Sequence, residues 1–203
     1  MSENKSADWD WSEYFDKIND PPMRGTVQAA IDVLGLGQGR PAIDLGCGHG
    51  NDTVHMLNAG FEVLAMDTSA EGLRRLQNRA DLEADLLSAQ KASFHTADWK
   101  KNIWTNAGFA LPFCPSDKFD QVWQRISENL QDGGIFSGQL FGIEDSWNGK
   151  VSDMNFHSEE SVRALCNSYG IMHFEEEKGD GKDAVGRPKY WHIFHIVLQK
   201  KSK

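Results

Sequence analysis

The chain has 203 residues, 39% hydrophobic and 25% charged, with a mean hydropathy of −0.54. That composition suits one globular domain that buries about 70% of its unfolded surface, and no apolar run approaches the ~20 residues that cross a bilayer. A net charge of −9 disfavours a nucleic-acid partner, because an acidic surface does not neutralise phosphates.

The N-terminal stretch MSENKSADWDW has no apolar core of a signal peptide. Cys47, Cys114 and Cys166 lie far apart with no C-x-x-C pair, so neither a disulfide framework nor a zinc site is expected. Reduced thiols and a cytoplasmic location follow as the expectation.

Residues 1–20 are acidic yet carry Trp9, Trp11, Tyr14 and Phe15, so this arm is expected to dock, either as a lid or as an ordinary packed segment. Residues 21–203 read as one domain. Asp20 before Pro21 and Pro22 signals a helix start, and Val27, Ile31 and Leu34 follow at helical spacing. PAIDLG is a short buried strand. Asn51 or Asp52 caps a helix that Gly60 stops. FEVLAMD is a second strand, and Thr68 with Glu71 has capping-box spacing before the next helix. DLEADLLSAQ reads as helical, KASFHTAD as a third strand and NIWTNAGF as a fourth. Ser116 opens a helix whose stripe is Phe119, Val122, Trp123, Ile126 and Leu130, ended by Gly133 and Gly134. IFSGQLFG is a fifth strand, Ser158 caps a helix closed by Gly170, and IMHFEEEK with KYWHIFHIVLQK forms a hairpin.

Alternating strands and helices predict an α/β, Rossmann-like doubly wound sheet. Seven strands are expected, mostly parallel, with a C-terminal antiparallel hairpin and helices on both faces. In such folds ligands bind where strands run into helices. Asp44-Leu45-Gly46-Cys47-Gly48-His49-Gly50 is such a turn. Its glycines give backbone N–H groups and a helix end to a ligand. They do not match the dinucleotide pattern G-x-G-x-x-G, whose third place is Asn51 here. Asp44 suits a ligand with a cationic end better than a pyrophosphate. Cys47 and His49 are read as a small filler and a cleft-facing or exposed side chain, with no third metal ligand at a zinc spacing.

The stretch AIDLGCGHG resembles the first motif of the class I S-adenosylmethionine-dependent methyltransferases. The resemblance covers about residues 20–199. It implies a cofactor site built from Asp44, Gly46, Gly48 and Gly50, with Asp67 and Thr68 after the second strand at the ribose. It further implies Asp98 and Trp99 after the third strand at the adenine, and Asn106 near the methionine part. Arg24 is either a partner for the methionine carboxylate or a surface arginine. The implied cofactor is S-adenosyl-L-methionine and the product S-adenosyl-L-homocysteine. Among subfamilies, the compact build and the tail are most similar to the tellurite-resistance and thiopurine-type enzymes.

The acceptor is expected to be a small molecule, with no nucleic acid and no membrane involved. The N/D-P-P-Y-type motif of amine methylators is absent at Asn106-Ala107-Gly108-Phe109. Phe109, Phe113, Cys114, Phe141, Trp147 and Trp191 read instead as an apolar cleft wall. His157 is the candidate general base. His192 and His195, three apart on a strand, point to opposite faces, which does not make a metal pair. Two other classes stay open: a protein that binds the cofactor without turnover, and an NAD(P)-dependent oxidoreductase.

Overall fold

A computed structural model describes residues 11–17 and 21–202. Trp9 of the expected arm and the expected cap Asp20 lie outside the described residues. The chain starts with α1 (Ser12–Lys17) and α2 (Gly25–Leu34) and then alternates. It runs β1 (Pro41–Leu45), α3 (Asn51–Asn58), β2 (Glu62–Asp67), α4 (Ala70–Gln77), β3 (Leu87–Lys91), β4 (Asn102–Ala107) and α5 (Phe119–Asn129). It closes with β5 (Leu130–Gly142), β6 (Phe156–His157), α6 (Glu159–Cys166), β7 (Tyr169–Lys182) and β8 (Pro188–Lys200).

The sheet order is β3-β2-β1-β4-β5-β8-β7, with the two-residue β6 pairing with β5 off this path. Strands β1 to β6 pair in parallel, β8 runs antiparallel to β5, and β7 antiparallel to β8. The parallel body and the antiparallel end match the expectation. Among the described residues the seven expected strands are joined by an eighth, the two-residue β6, which is too short to carry a pattern.

Strict alternation along the strands separates two cores. Ile43, Leu45, Phe136, Ile196 and Leu198 face the layer of α5 and α6, where Phe119, Val122, Trp123, Ile126 and Val162 meet them. Ala42, Val63, Trp104, Ile135 and Val197 face the layer of α2 and α3, with Val27, Ala30, Met56 and Leu57. Helices therefore cover both faces, and the carboxyl ends of the parallel strands converge on one crevice.

Several local expectations shift. DLEADLLSAQ is not a helix: a 3-10 turn at Ala84–Leu86 leads straight into β3. Leu87 pairs with Val63 and Lys91 with Asp67, and Leu87 and Ala89 pack on the core below α4. This places the third strand about four residues earlier than KASFHTAD, whose residues 93–97 form a turn instead. Ser69, not Thr68, caps α4 by accepting from the Gly72 N–H at 3.1 Å. The N-cap of α3 is Gly50, and α5 has no side-chain cap at all. Gly133 and Gly134 do not end α5, which stops at Asn129; they lie in an irregularity inside β5, where the register with β4 shifts.

Candidate active site

A cavity of about 830 Å³ lies over the carboxyl ends of β1, β2 and β4 and reaches the tip of the β7–β8 hairpin. Binding pockets for small molecules span roughly 300–1,000 Å³, so this one is at the roomy end.

The glycine turn after β1 forms its floor. Gly46, Gly48 and Gly50 have φ of +67°, +55° and +88°, a region that side chains resist. A Cβ on Gly46 would stand 2.5 Å from the Ala110 Cβ, and one on Gly50 2.2 Å from the Leu76 Cδ1. Gly46 and Gly48 line the cavity, whereas Gly50 packs behind it against α4. Cys47 and His49 both line it too. Burial and nearby carboxylates push the Cys47 thiol well up, so it is not a thiolate.

Three carboxylates face this floor. Asp67 accepts from the Gly48 N–H at 2.8 Å and the Ser69 N–H at 2.7 Å, which ties β2 to the turn. Its burial raises its pKa, against the pull of those backbone donors. Asp44 accepts from the Thr53 hydroxyl at 2.6 Å and the Asn106 amide at 2.9 Å. The same amide donates to Asp52 at 3.1 Å, so one NH2 group bridges two buried acids. Burial, and then the Asp52 charge, push Asp44 up to about 7. Arg24 answers the pair with an ion pair to Asp52. A Cβ on Gly108 would lie 2.2 Å from Asp52 Oδ2, so a side chain here would have to displace that carboxylate.

Asn106 itself is fully buried and does not line the cavity. It accepts from Ser137 at 2.7 Å, which accepts from the Trp104 indole at 2.8 Å. This chain of donors fixes which way the amide points, and Asn106 acts as a strut for the two acids rather than as a contact. Just beyond it, Phe109 adopts φ +55°, unusual for a bulky residue. Gln139, 1% exposed, accepts from the Phe109 N–H at 3.1 Å and donates to Thr26 at 3.0 Å, holding that turn in place. The Arg24 guanidinium lies 5.3 Å over the Phe109 ring.

Two expectations fall outside this cavity. Asp98 is exposed and Trp99 is buried under the Arg125 guanidinium, 5.4 Å from its ring, and neither lines it. The earlier end of β3 is the reason: the residues that follow it into the crevice are Ser93, Phe94 and His95. There the Ser93 hydroxyl and His95 Nδ1 are 2.6 Å apart. Alternation of Leu87 and Ala89 was the sequence signal for this register. His157 also lies away from the cavity. It sits on β6 with its ring 4.6 Å from Phe119, and burial lowers its pKa.

The roof is α1. Tyr14 and Phe15 approach the His49 ring at 6.5 and 6.3 Å, and Trp11 meets Phe113 edge-on at 5.0 Å. Arg75 of α4 bonds the Phe15 carbonyl and pairs with Asp16 at 2.7 Å. Lys17 donates to the Val185 carbonyl of the hairpin tip at 3.3 Å. Asp183, Ala184, Val185 and Arg187 of that tip line the cavity, a contribution that no local pattern announced. On β8, His192 meets Glu176 at 2.8 Å and His195 meets Glu177 at 2.9 Å. Among the described residues, no group of three or more His, Cys, Asp or Glu could hold a metal ion. No helix is long and apolar enough to cross a membrane among them either.

A family model described as a methyltransferase domain matches residues 42–134, which hold the glycine turn, Asp67 and Asn106. A malonyl-[acyl-carrier protein] O-methyltransferase from Pseudescherichia vulneris is 29% identical over 161 residues, 67% of this chain and 59% of its own. The chain thus spans about three fifths of that curated relative. The crystal structure of TehB from Haemophilus influenzae superposes with a TM-score of 0.76 at 16% identity, covering 93% of this chain and 66% of that one. A Burkholderia thailandensis 1,6-didemethyltoxoflavin-N1-methyltransferase, solved with bound 1,6-didemethyltoxoflavin and S-adenosylhomocysteine, gives a TM-score of 0.63 at 17% identity, covering 94% of this chain and 82% of that one. Strand order, glycine turn and domain match agree: residues 42–134 match a methyltransferase domain, and the chain shares the Rossmann-like fold of these solved structures.

Proposed function

We propose that the protein binds S-adenosyl-L-methionine in the glycine-turn half of the cavity and transfers its methyl group to a small molecule in the other half. The observation that carries this reading is the set Asp44, Asp52 and Asp67 around a turn whose three glycines all hold positive φ. A donor-rich ribose suits Asp67, and a cationic ligand suits a floor of three acids answered by one arginine. Gly46, Gly48 and Thr68 complete the floor, Gly50 packs it, and Asn106 orients the acids. Ser93, Phe94 and His95 take the adenine end, and Arg24 is placed for a carboxylate. When bound, the cofactor supplies a methyl group on a cationic sulfur.

The protein's part is alignment and exclusion of water. Holding two reactants in line is worth roughly 7–11 kcal/mol. Phe109, pinned by Gln139, stands between the two halves, and α1 serves as the lid over the single domain of residues 21–203. The acidic chain makes a small acceptor the better reading than a nucleic acid. Its unpaired cysteines fit the cytoplasm.

Calorimetry with S-adenosylhomocysteine and with NADH tests the cofactor assignment. The former should bind and the latter should not; the reverse would make the protein an oxidoreductase. Labelled S-adenosylmethionine incubated with a metabolite pool should pass its methyl to an extractable small molecule. Binding with no transfer to any pool would leave a cofactor-binding protein without turnover.

A further inference from the structure

The half of the cavity away from the glycine turn is walled by rings. Phe113, Phe141, Trp147 and Trp191 line it, while the aliphatic side chains there are few and small. Phe141 meets Trp191 at 5.7 Å and Trp147 at 6.2 Å, and Trp147 meets Trp191 at 6.0 Å.

Behind these three rings is Lys189. Its ammonium lies 3.8 Å from the Trp147 centroid, 4.3 Å from that of Trp191 and 5.2 Å from that of Phe141. The side chain is 1% exposed and pairs with Asp145, which is 0% exposed. Asp145 also accepts from the Trp147 N–H at 3.0 Å, so the pair holds both the ring and its backbone. A buried ion pair is costly to form and is readily replaced by apolar residues. Three ring faces around the ammonium return attraction at this site. Lys189 does not line the cavity, so its charge reaches a ligand only through the rings.

We propose that this wall is the acceptor subsite, that it takes a flat, electron-rich aromatic ring, and that Lys189 is the residue that positions it. The proposal rests on the reading of the glycine-turn half as the cofactor site. Rings offer a partner positive edges and negative faces, which another flat ring matches in offset or edge-on geometry. A saturated ring of equal size gains only burial. The ammonium draws the π density of Trp147 and Trp191 toward itself. The sides turned from it are then less negative, which favours an electron-rich ring and disfavours a cation. The nearby acid Asp183 is already engaged by the Val185 and Arg187 N–H groups and the Arg187 side chain.

Calorimetry on the S-adenosylhomocysteine complex, with 2-naphthol and decahydro-2-naphthol as probes, tests this. The flat probe should bind about tenfold more tightly, the scale of one or two aromatic contacts. A naphthalene bearing a trimethylammonium group should bind more weakly than 2-naphthol. Trp191→Leu should erase the preference for the flat probe. The double variant Lys189→Met/Asp145→Asn, which removes both buried charges together, should erase it and also gain affinity for the cationic probe. That gain is a change that a merely loosened wall would not produce. Affinity for S-adenosylhomocysteine should stay unchanged in both. Equal binding of the two neutral probes by the wild type, no binding of 2-naphthol, or a preference surviving in both variants overturns the proposal. If S-adenosylhomocysteine fails to bind the wild type, the cofactor reading fails, and the same probe titrations on the protein alone still decide the ring preference.

Discussion

Asp44 and Asp52 share the Asn106 amide in a buried site, and Asp44 titrates at about 7 against an ordinary value of 3.8. A proton held there opposes a cationic ligand. Affinity for S-adenosylmethionine should therefore rise with pH as Asp44 ionises near 7, with proton release in calorimetry below that point. The folded protein takes up a proton between 3.8 and about 7 that the unfolded chain does not, so this group's contribution to stability falls as pH rises through that window. Ligand-free protein and ligand affinity should respond to pH in opposite senses; a parallel response would remove Asp44 from the ligand's surroundings. Asp67→Ala should weaken S-adenosylhomocysteine binding by about 1.5–3 kcal/mol, the scale of hydrogen bonds to a charged group. Unchanged affinity would place the ribose elsewhere. Asp44 and Asp67 were legible in the sequence, because each sits at the end of a strand with glycine or a helix cap next to it, whereas Asp52 read only as a possible helix cap. Ser93 and His95 were not, since their place depends on where β3 stops against β2.

At the level of elements, Arg75 supplies two of the anchors that hold α1. Arg75→Ala should release α1, seen as faster hydrogen exchange over residues 12–17 and a severalfold faster dissociation of S-adenosylhomocysteine. The denaturation midpoint of the rest should not move. An unchanged dissociation rate would mean that α1 is packing and not a lid. The alternation of strand and helix was readable because each strand is an apolar run between turn residues. The stretch 81–90 misled because Leu82 and Leu86 are four apart, a helical interval, although pairing with β2 selects a strand from Leu87. Tertiary pairing overrode a local period. The hairpin tip was invisible as part of the site for a related reason: Asp183 and Val185 reach the cavity only after β7 and β8 fold back across the sheet.

For the molecule as a whole, the order β5-β8-β7 sets one strand apart. Among the described residues the final strand is an interior one: β8 separates β5 from β7 and carries Phe194, Ile196, Val197 and Leu198, all 0% exposed. Removing residues 188–203 should therefore abolish soluble expression and not merely trim an edge. A soluble, cooperatively unfolding truncation would contradict this. The same placement bears on how the chain is made. Synthesis delivers β5 some fifty residues before its neighbour, at roughly 5–20 residues per second. During that interval the apolar flank of β5 has no partner strand, and β7 has nothing to pair with. The sheet can close only once β8 has left the ribosome, and a chaperone that shields β5 should be retained until then.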